Sequence, residues 1–282
     1  MVQELAAYLH YTKLENALGE ETEDRLATLI INRHEAANAF SGELLVQMKA
    51  LLDEVQADPS VRLLLLQGSG KHFSAGADLH WMKQAAQMDY SGNIGEAEKL
   101  TAMFEALAGL RVPTIAVVKG AAFGGAVGLV VACDYALAVD NVRFCLSEVK
   151  IGLLPAVILP YLGRKIEPGS LKRYMLSARI FHADEAMAVG LVQAVATINE
   201  IESLLHEEVN LLLAASPEAQ ASCKRLYQRV EGQAWAQGPE TVEAIARTRA
   251  SSMGQAGLSA FFQKIDPPWL RRLPKLARLY VA

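Results

Sequence analysis

The sequence predicts an α/β fold followed by a helical C-terminal region. Compact apolar runs of strand length alternate with amphipathic helical stretches through about residue 165, after which strand-like runs almost vanish. The 282 residues also reach the upper size of a single hydrophobic core, so one large domain or a core with an appendage is expected.

The elements follow in order. Residues 26–31 form an apolar, β-branched run closed by Asn32 and Arg33, which reads as a strand. Ser41 is placed to cap a helix whose apolar positions Leu44, Leu45, Met48, Leu51, Leu52 and Val55 recur at helical spacing until Pro59 stops it. Residues 61–67 are a continuous apolar run bounded by turn residues, as in a strand buried on both faces. A helix over 96–110 puts Leu100, Met103, Phe104, Leu107 and Leu110 on one side. Residues 114–118 read as a second buried strand, 124–133 as a tightly packed helix, and 135–139 and 143–146 as further strands. Helices are then predicted over 169–178, 183–188 and 201–215, with another opened by Ser216-Pro217, where proline suits the first turn. The last stretch, 266–282, sets Arg271, Arg272, Lys275 and Arg278 beside leucines. It reads as the solvated basic face of a packed terminal helix, with docking on a partner subunit as the alternative.

Composition narrows the function. A 52% hydrophobic, 21% charged chain excludes disorder and suggests apolar surface for self-association. With 27 Lys and Arg against 31 Asp and Glu there is no overall positive field for nucleic acid. Cys133, Cys145 and Cys223 are scattered, form no CxxC knuckle, and fit reduced thiols of a cytoplasmic protein. The start, Met-Val-Gln-Glu-Leu-Ala-Ala, shows no secretory leader, and the uncharged stretch 120–133 is too short and glycine-rich to span a bilayer.

Several familiar chemistries lack support. Gly68-Ser69-Gly70-Lys71-His72-Phe73 misses the third glycine of a dinucleotide fingerprint, and no phosphate-loop, zinc-protease or nucleophile-elbow motif occurs. Two small-residue loops remain, Ser74-Ala75-Gly76-Ala77-Asp78 and Gly120-Ala121-Ala122-Phe123-Gly124-Gly125-Ala126, each leading from a buried strand into a helix. Either alone serves close helix packing as readily as a ligand. Together they could aim two unpaired N–H groups at one carbonyl oxygen, an oxyanion hole.

In order and spacing these residues resemble the crotonase, or enoyl-CoA hydratase/isomerase, superfamily. The resemblance runs through 27–33 with Asn38-Ala39-Phe40, His72-Phe73-Ser74-Ala75-Gly76-Ala77-Asp78-Leu79, Gly124-Gly125-Ala126-Val127-Gly128-Leu129 with Ala132-Cys133-Asp134, 144–153, 183–186 with Gly190-Leu191-Val192, and Phe261-Phe262-Gln263-Lys264. It implies a spiral ββα core over 1–200 carrying a CoA-thioester site and a helical trimerisation region over 201–282, assembled as a homotrimer or dimer of trimers. It implies an acyl-CoA substrate with no separate cofactor and no metal. The oxyanion donors would be the Ala77 and Gly125 N–H groups, and Glu148, which alone would read as a strand-end carboxylate, matches the catalytic glutamate. Ala75, Ala77, Asp78, Leu79, His80 and Gly125 would line the substrate, while Phe261 and Lys264 would help hold the CoA nucleotide, often of a neighbouring subunit.

One departure matters. Hydratases of the best-known type carry a second glutamate where this chain has Gly128. Single-glutamate members include Δ3-Δ2 enoyl-CoA isomerases, so isomerisation stands beside hydration. The wording around 120–129 and 144–158 is similar to bacterial methylglutaconyl-CoA and isohexenylglutaconyl-CoA hydratases of leucine and acyclic-terpene breakdown, a branch that accepts glycine there. Hydration of such a branched substrate is therefore expected, with His80, Lys83, Asn93 and Lys150 as candidate partners for its distal carboxylate. Asp89, Tyr90 and Asn93 could line the acyl pocket or simply cap a helix. A non-catalytic acyl-CoA- or RNA-binding protein is the reading from another class.

Overall fold

The computed structural model describes residues 5–230 and 239–281; residues 1–4, part of the leader reading, and Ala282 lie outside it. Its elements are β1 (Ala7–Glu15), β2 (Glu21–Ile31), α1 (Gly42–Ala57), β3 (Val61–Gly68), α2 (Leu79–Ala85), α3 (Tyr90–Ala108), β4 (Thr114–Val118), β5 (Ala121–Phe123), α4 (Gly125–Ala132), β6 (Tyr135–Val139), β7 (Arg143–Cys145), α5 (Leu159–Lys165), α6 (Pro168–Ser177), β8 (Phe181–His182), α7 (Ala183–Ala188), β9 (Ala194–Ala196), α8 (Ile201–Ala214), α9 (Pro217–Val230), α10 (Pro239–Ala250) and α11 (Ser252–Gln263). A six-stranded sheet has the order β1-β2-β3-β4-β6-β9, and a three-stranded sheet the order β5-β7-β8. In the large sheet only β1 and β2 are antiparallel. The α/β class is as the sequence predicts.

The apolar runs at 61–67 and 114–118 have the reason inferred from sequence: both faces of the sheet are covered. Leu64 and Leu66 of β3, with Ala116 and Val118 of β4, enter a core shared with α1, α3 and α4. Leu63 and Leu65, with Ile115 and Val117, enter a second core closed by Ile201, Leu205, Val209 and Leu213 of α8. Ser41 caps α1, its hydroxyl accepting from Leu44 N–H.

Three expectations need correction. The strand expected from Leu26 begins at Glu21, as β2. The helix expected from 96 begins at Tyr90, because the Asp89 carboxylate caps it by accepting from Gly92 N–H at 2.8 Å. Gly92 and Gly95 weaken the local helical signal that would have shown this. Finally, residues 266–281 form no helix. Pro267, Pro268 and Pro274 oppose one, and the segment instead straps the large sheet. Arg272 exchanges backbone hydrogen bonds with Glu15 at 2.9 and 3.0 Å, Leu273 and Leu279 enter the second core, and the buried Gln67 amide donates to Leu279 O at 2.6 Å while accepting from Val281 N–H at 3.0 Å. Among the described residues no helix is long and apolar enough to cross a membrane.

Candidate active site

The two small-residue loops meet. A Cβ on Gly76 would lie 2.5 Å from Phe123 O and 3.8 Å from Gly124 Cα, and Gly76 has φ +88°, so only glycine lets the loops touch. An isolated bridge joins Ser74 to Ala122 and another joins Phe40 to Ala77. Between these anchors the N–H groups of Gly76 and Asp78 are engaged, donating to Ser74 Oγ at 3.2 Å and Phe40 O at 2.8 Å. The N–H groups of Ala77 and of Gly125, the first residue of α4, have no acceptor among the described residues. Ala75 and Ala77 are exposed and Gly125 is half-buried, so a ligand can reach them.

The first loop is fastened from behind. Asn38 is fully buried with φ +56°. Its amide donates to Ser69 O at 2.9 Å and His72 O at 2.7 Å and accepts from Arg33 N–H at 2.9 Å. Ser74, also fully buried, donates its hydroxyl to Asn38 O at 2.7 Å. Asn38 and Ser74, which the motifs contain without a role, are thus positioning residues; a polar Asn inside an Ala-rich run is the signal for one of them.

Glu148 follows β7 on a short 3-10 turn. Its Oε1 would lie 3.2 Å from a Cβ built on Gly124, and its Oε2 is buried without a hydrogen-bond partner. Burial pushes its carboxyl above the usual glutamate range, offset only in part by its own backbone N–H. Gly128 explains the lone carboxylate. A Cβ there would lie 2.3 Å from Ile158 Cγ2 and 2.8 Å from Phe104 Cζ, so apolar side chains fill the space a second acid would need.

The other expected residues divide. Asp78 turns inward: its carboxylate caps α2, accepting from His80 N–H at 2.7 Å, and pairs with Arg33 at 3.0 Å. Burial alone would raise its pKa, yet the two backbone donors and Arg33 hold it below the usual carboxylate range. Leu79 is 75% exposed, and the exposed His80 places Nε2 3.1 Å from the Gln84 amide. Phe261 and Lys264 sit at the end of α11, whose main partner is α10, with both side chains exposed. Asn93 donates to Met88 O and Asp89 O, which makes it a helix-start residue. Among the described residues no cluster of His, Cys, Asp and Glu could hold a metal.

Comparison with known proteins agrees with this geometry. Residues 21–272 match the family model described as enoyl-CoA hydratase/isomerase. A putative enoyl-CoA hydratase of Thermus thermophilus is 31% identical over 248 residues, 86% of this chain and 96% of its own length. A crotonyl-CoA hydratase of Syntrophomonas wolfei is 36% identical over 64% of this chain and 69% of its own. The crystal structure of an enoyl-CoA hydratase from Shewanella pealeana superposes with a TM-score of 0.85 at 37% identity, covering 93% of this chain and 96% of that one. Two touching glycine loops with free N–H groups, a half-buried carboxylate beside them and a match over nearly the whole chain lead to one conclusion: the protein belongs to the enoyl-CoA hydratase/isomerase family, the crotonase superfamily.

Proposed function

We propose that the chain hydrates a conjugated enoyl-CoA, with Glu148 as its single acid–base group. The observation that carries this reading is the buried, unpartnered Glu148 Oε2 beside the loop that presents the Gly125 N–H. The Ala77 and Gly125 N–H groups bind the thioester oxygen and stabilise the enolate charge that develops there. This polarisation makes Cβ electrophilic. Glu148 takes a proton from a water as its oxygen bonds to Cβ, then returns that proton to Cα, so one water supplies both atoms of the 3-hydroxyacyl product. Burial raises the pKa of this carboxyl, which makes its carboxylate a stronger base towards water than an ordinary glutamate, while the acid so formed is still strong enough to protonate the enolate carbon.

The finer reading is a branched glutaconyl-type substrate, 3-methylglutaconyl-CoA or isohexenylglutaconyl-CoA. Its support is the residue wording around Gly128 and a supply of cations: with Asn93 engaged and His80 beside Gln84, Lys83 and Lys150 are the exposed candidates for a distal carboxylate. Phe261 and Lys264 are assigned to the CoA nucleotide of a neighbouring copy in a trimer or hexamer. Δ3-Δ2 isomerisation is the second reading, favoured by the packed Gly128, because one proton carrier suffices for a 1,3-shift.

Incubation with 3-methylglutaconyl-CoA, isohexenylglutaconyl-CoA, crotonyl-CoA and a 3-enoyl-CoA separates these readings. Water addition, seen by mass, supports the hydratase; double-bond migration without mass gain supports the isomerase; no turnover of any thioester refutes both.

A further inference from the structure

The three-stranded sheet runs from the active site to a second end. At the end away from Glu148 lies a cavity of about 470 Å³ lined by Gly70, Lys71 and His72 after β3, Lys119 and Gly120 after β4, Val139 and Asn141 around the end of β6, Arg143 of β7, Ile198 and Tyr280. Among the described residues three cations line it and no carboxylate does. Lys119 is only 6% exposed, and its ammonium group donates to Val281 O and lies 5.0 Å from the Tyr280 ring centroid. Burial holds its pKa down at about 8. His72 responds likewise: burial first, then Lys71 and Arg143, lower its pKa, and its Nδ1 is buried with no partner.

Among the described residues the buried Lys119 stands beside two further cations with no acid in the lining, a charge balance that favours an anion there. The lining also includes the apolar Val139 and Ile198 and the Tyr280 ring, on which Lys119 rests. We propose that this cavity is a second binding site, separate from the thioester site, for a small organic anion that sets a carboxylate or phosphate against Lys71, Lys119 and Arg143 and an apolar part against Val139, Ile198 and Tyr280. Its volume suits a compact metabolite. Position gives the site reach: β5 and β7 pair from Ala121↔Arg143 at the cavity to Phe123↔Cys145 at the active site, and Ser74 is bridged to Ala122 between them. The two end pairs stand two strand residues apart, about 7 Å.

The test is titration of the full chain with phenyl phosphate and with benzoate at fixed ionic strength, read by calorimetry and thermal shift. Saturable binding of either probe is expected, and the tighter one names the headgroup. Lys119→Met and the surface variant Arg143→Gln should each weaken binding at least tenfold, Glu148→Gln should leave it unchanged, and free CoA should not compete. Because Arg143 is exposed, its variant tests the site even if Lys119→Met fails to fold. Absence of saturable binding by both probes, equal binding by Arg143→Gln, or displacement by CoA overturns the proposal.

Discussion

Ser74 and Glu148 show how single side chains set the chemistry. Ser74 Oγ ties Asn38 O to Gly76 N–H, the residue before the Ala77 donor. Ser74→Ala leaves both backbone groups unpaired in a buried place, so a stability loss of about 1–3 kcal/mol is expected in urea unfolding. The fall in kcat should exceed any change in KM, since a misaimed donor loses mainly transition-state stabilisation. A variant with reduced stability and unchanged kcat would show that the hydroxyl serves folding alone. For Glu148 the sign follows from its raised pKa. The folded chain holds this proton to higher pH than the unfolded chain, so stability is greatest below the ordinary glutamate range. It falls as pH rises through the folded value and stays lower above it. Glu148→Gln removes that penalty, so Tm should rise at pH 7. The part-buried position keeps the effect modest. Near pH 4 the gain should shrink, and the acid limb of the parent's kcat/KM should lie above the ordinary glutamate range.

Among the elements, α4 is the most constrained. Seven of its eight residues are buried, Gly128 among them under Ile158 and Phe104. Gly128→Ala should therefore cost about 1–3 kcal/mol by overpacking, and Ile158→Ala in the same chain should recover part of it; additive losses in a double-mutant cycle would contradict the contact. This element also marks what a sequence can disclose. The run 124–133 declares a buried helix, and the loop before it declares a possible anion grip, because glycine and alanine at those positions have local conformational causes. That Gly128 is closed to a second acid was not legible: Ile158 lies thirty residues on and Phe104 on another helix. The C-terminal strap is legible in part: its leucines recur as in a helix, but Pro267, Pro268 and Pro274 oppose one, while the path it takes is set by α8, Glu15 and Gln67, far away in sequence. β1 went unread because its outward residues, His10 and Lys13 among them, blur the apolar signal of an edge strand.

At the scale of the whole molecule, the single chain leaves α11 apolar on its outside: Phe261 is 76% and Phe262 75% exposed, with Leu258 and Ile265 nearby in sequence. A surface of this kind is expected to be covered by another copy, which would also bring Phe261 and Lys264 to a neighbouring site. Phe261→Ser with Phe262→Ser should shift the protein to a smaller species in sedimentation velocity; an unchanged profile would place the interface elsewhere. The central claim is that one half-buried carboxylate carries the proton chemistry. It is tested most directly by comparing the parent with Glu148→Gln in ¹⁸O-labelled water on whichever thioester the parent hydrates fastest. The account predicts label at Cβ with the parent, a loss of turnover of about 10²–10⁴ in the variant, and unchanged thioester affinity by calorimetry. Turnover by Glu148→Gln near the parental rate would remove Glu148 from the mechanism.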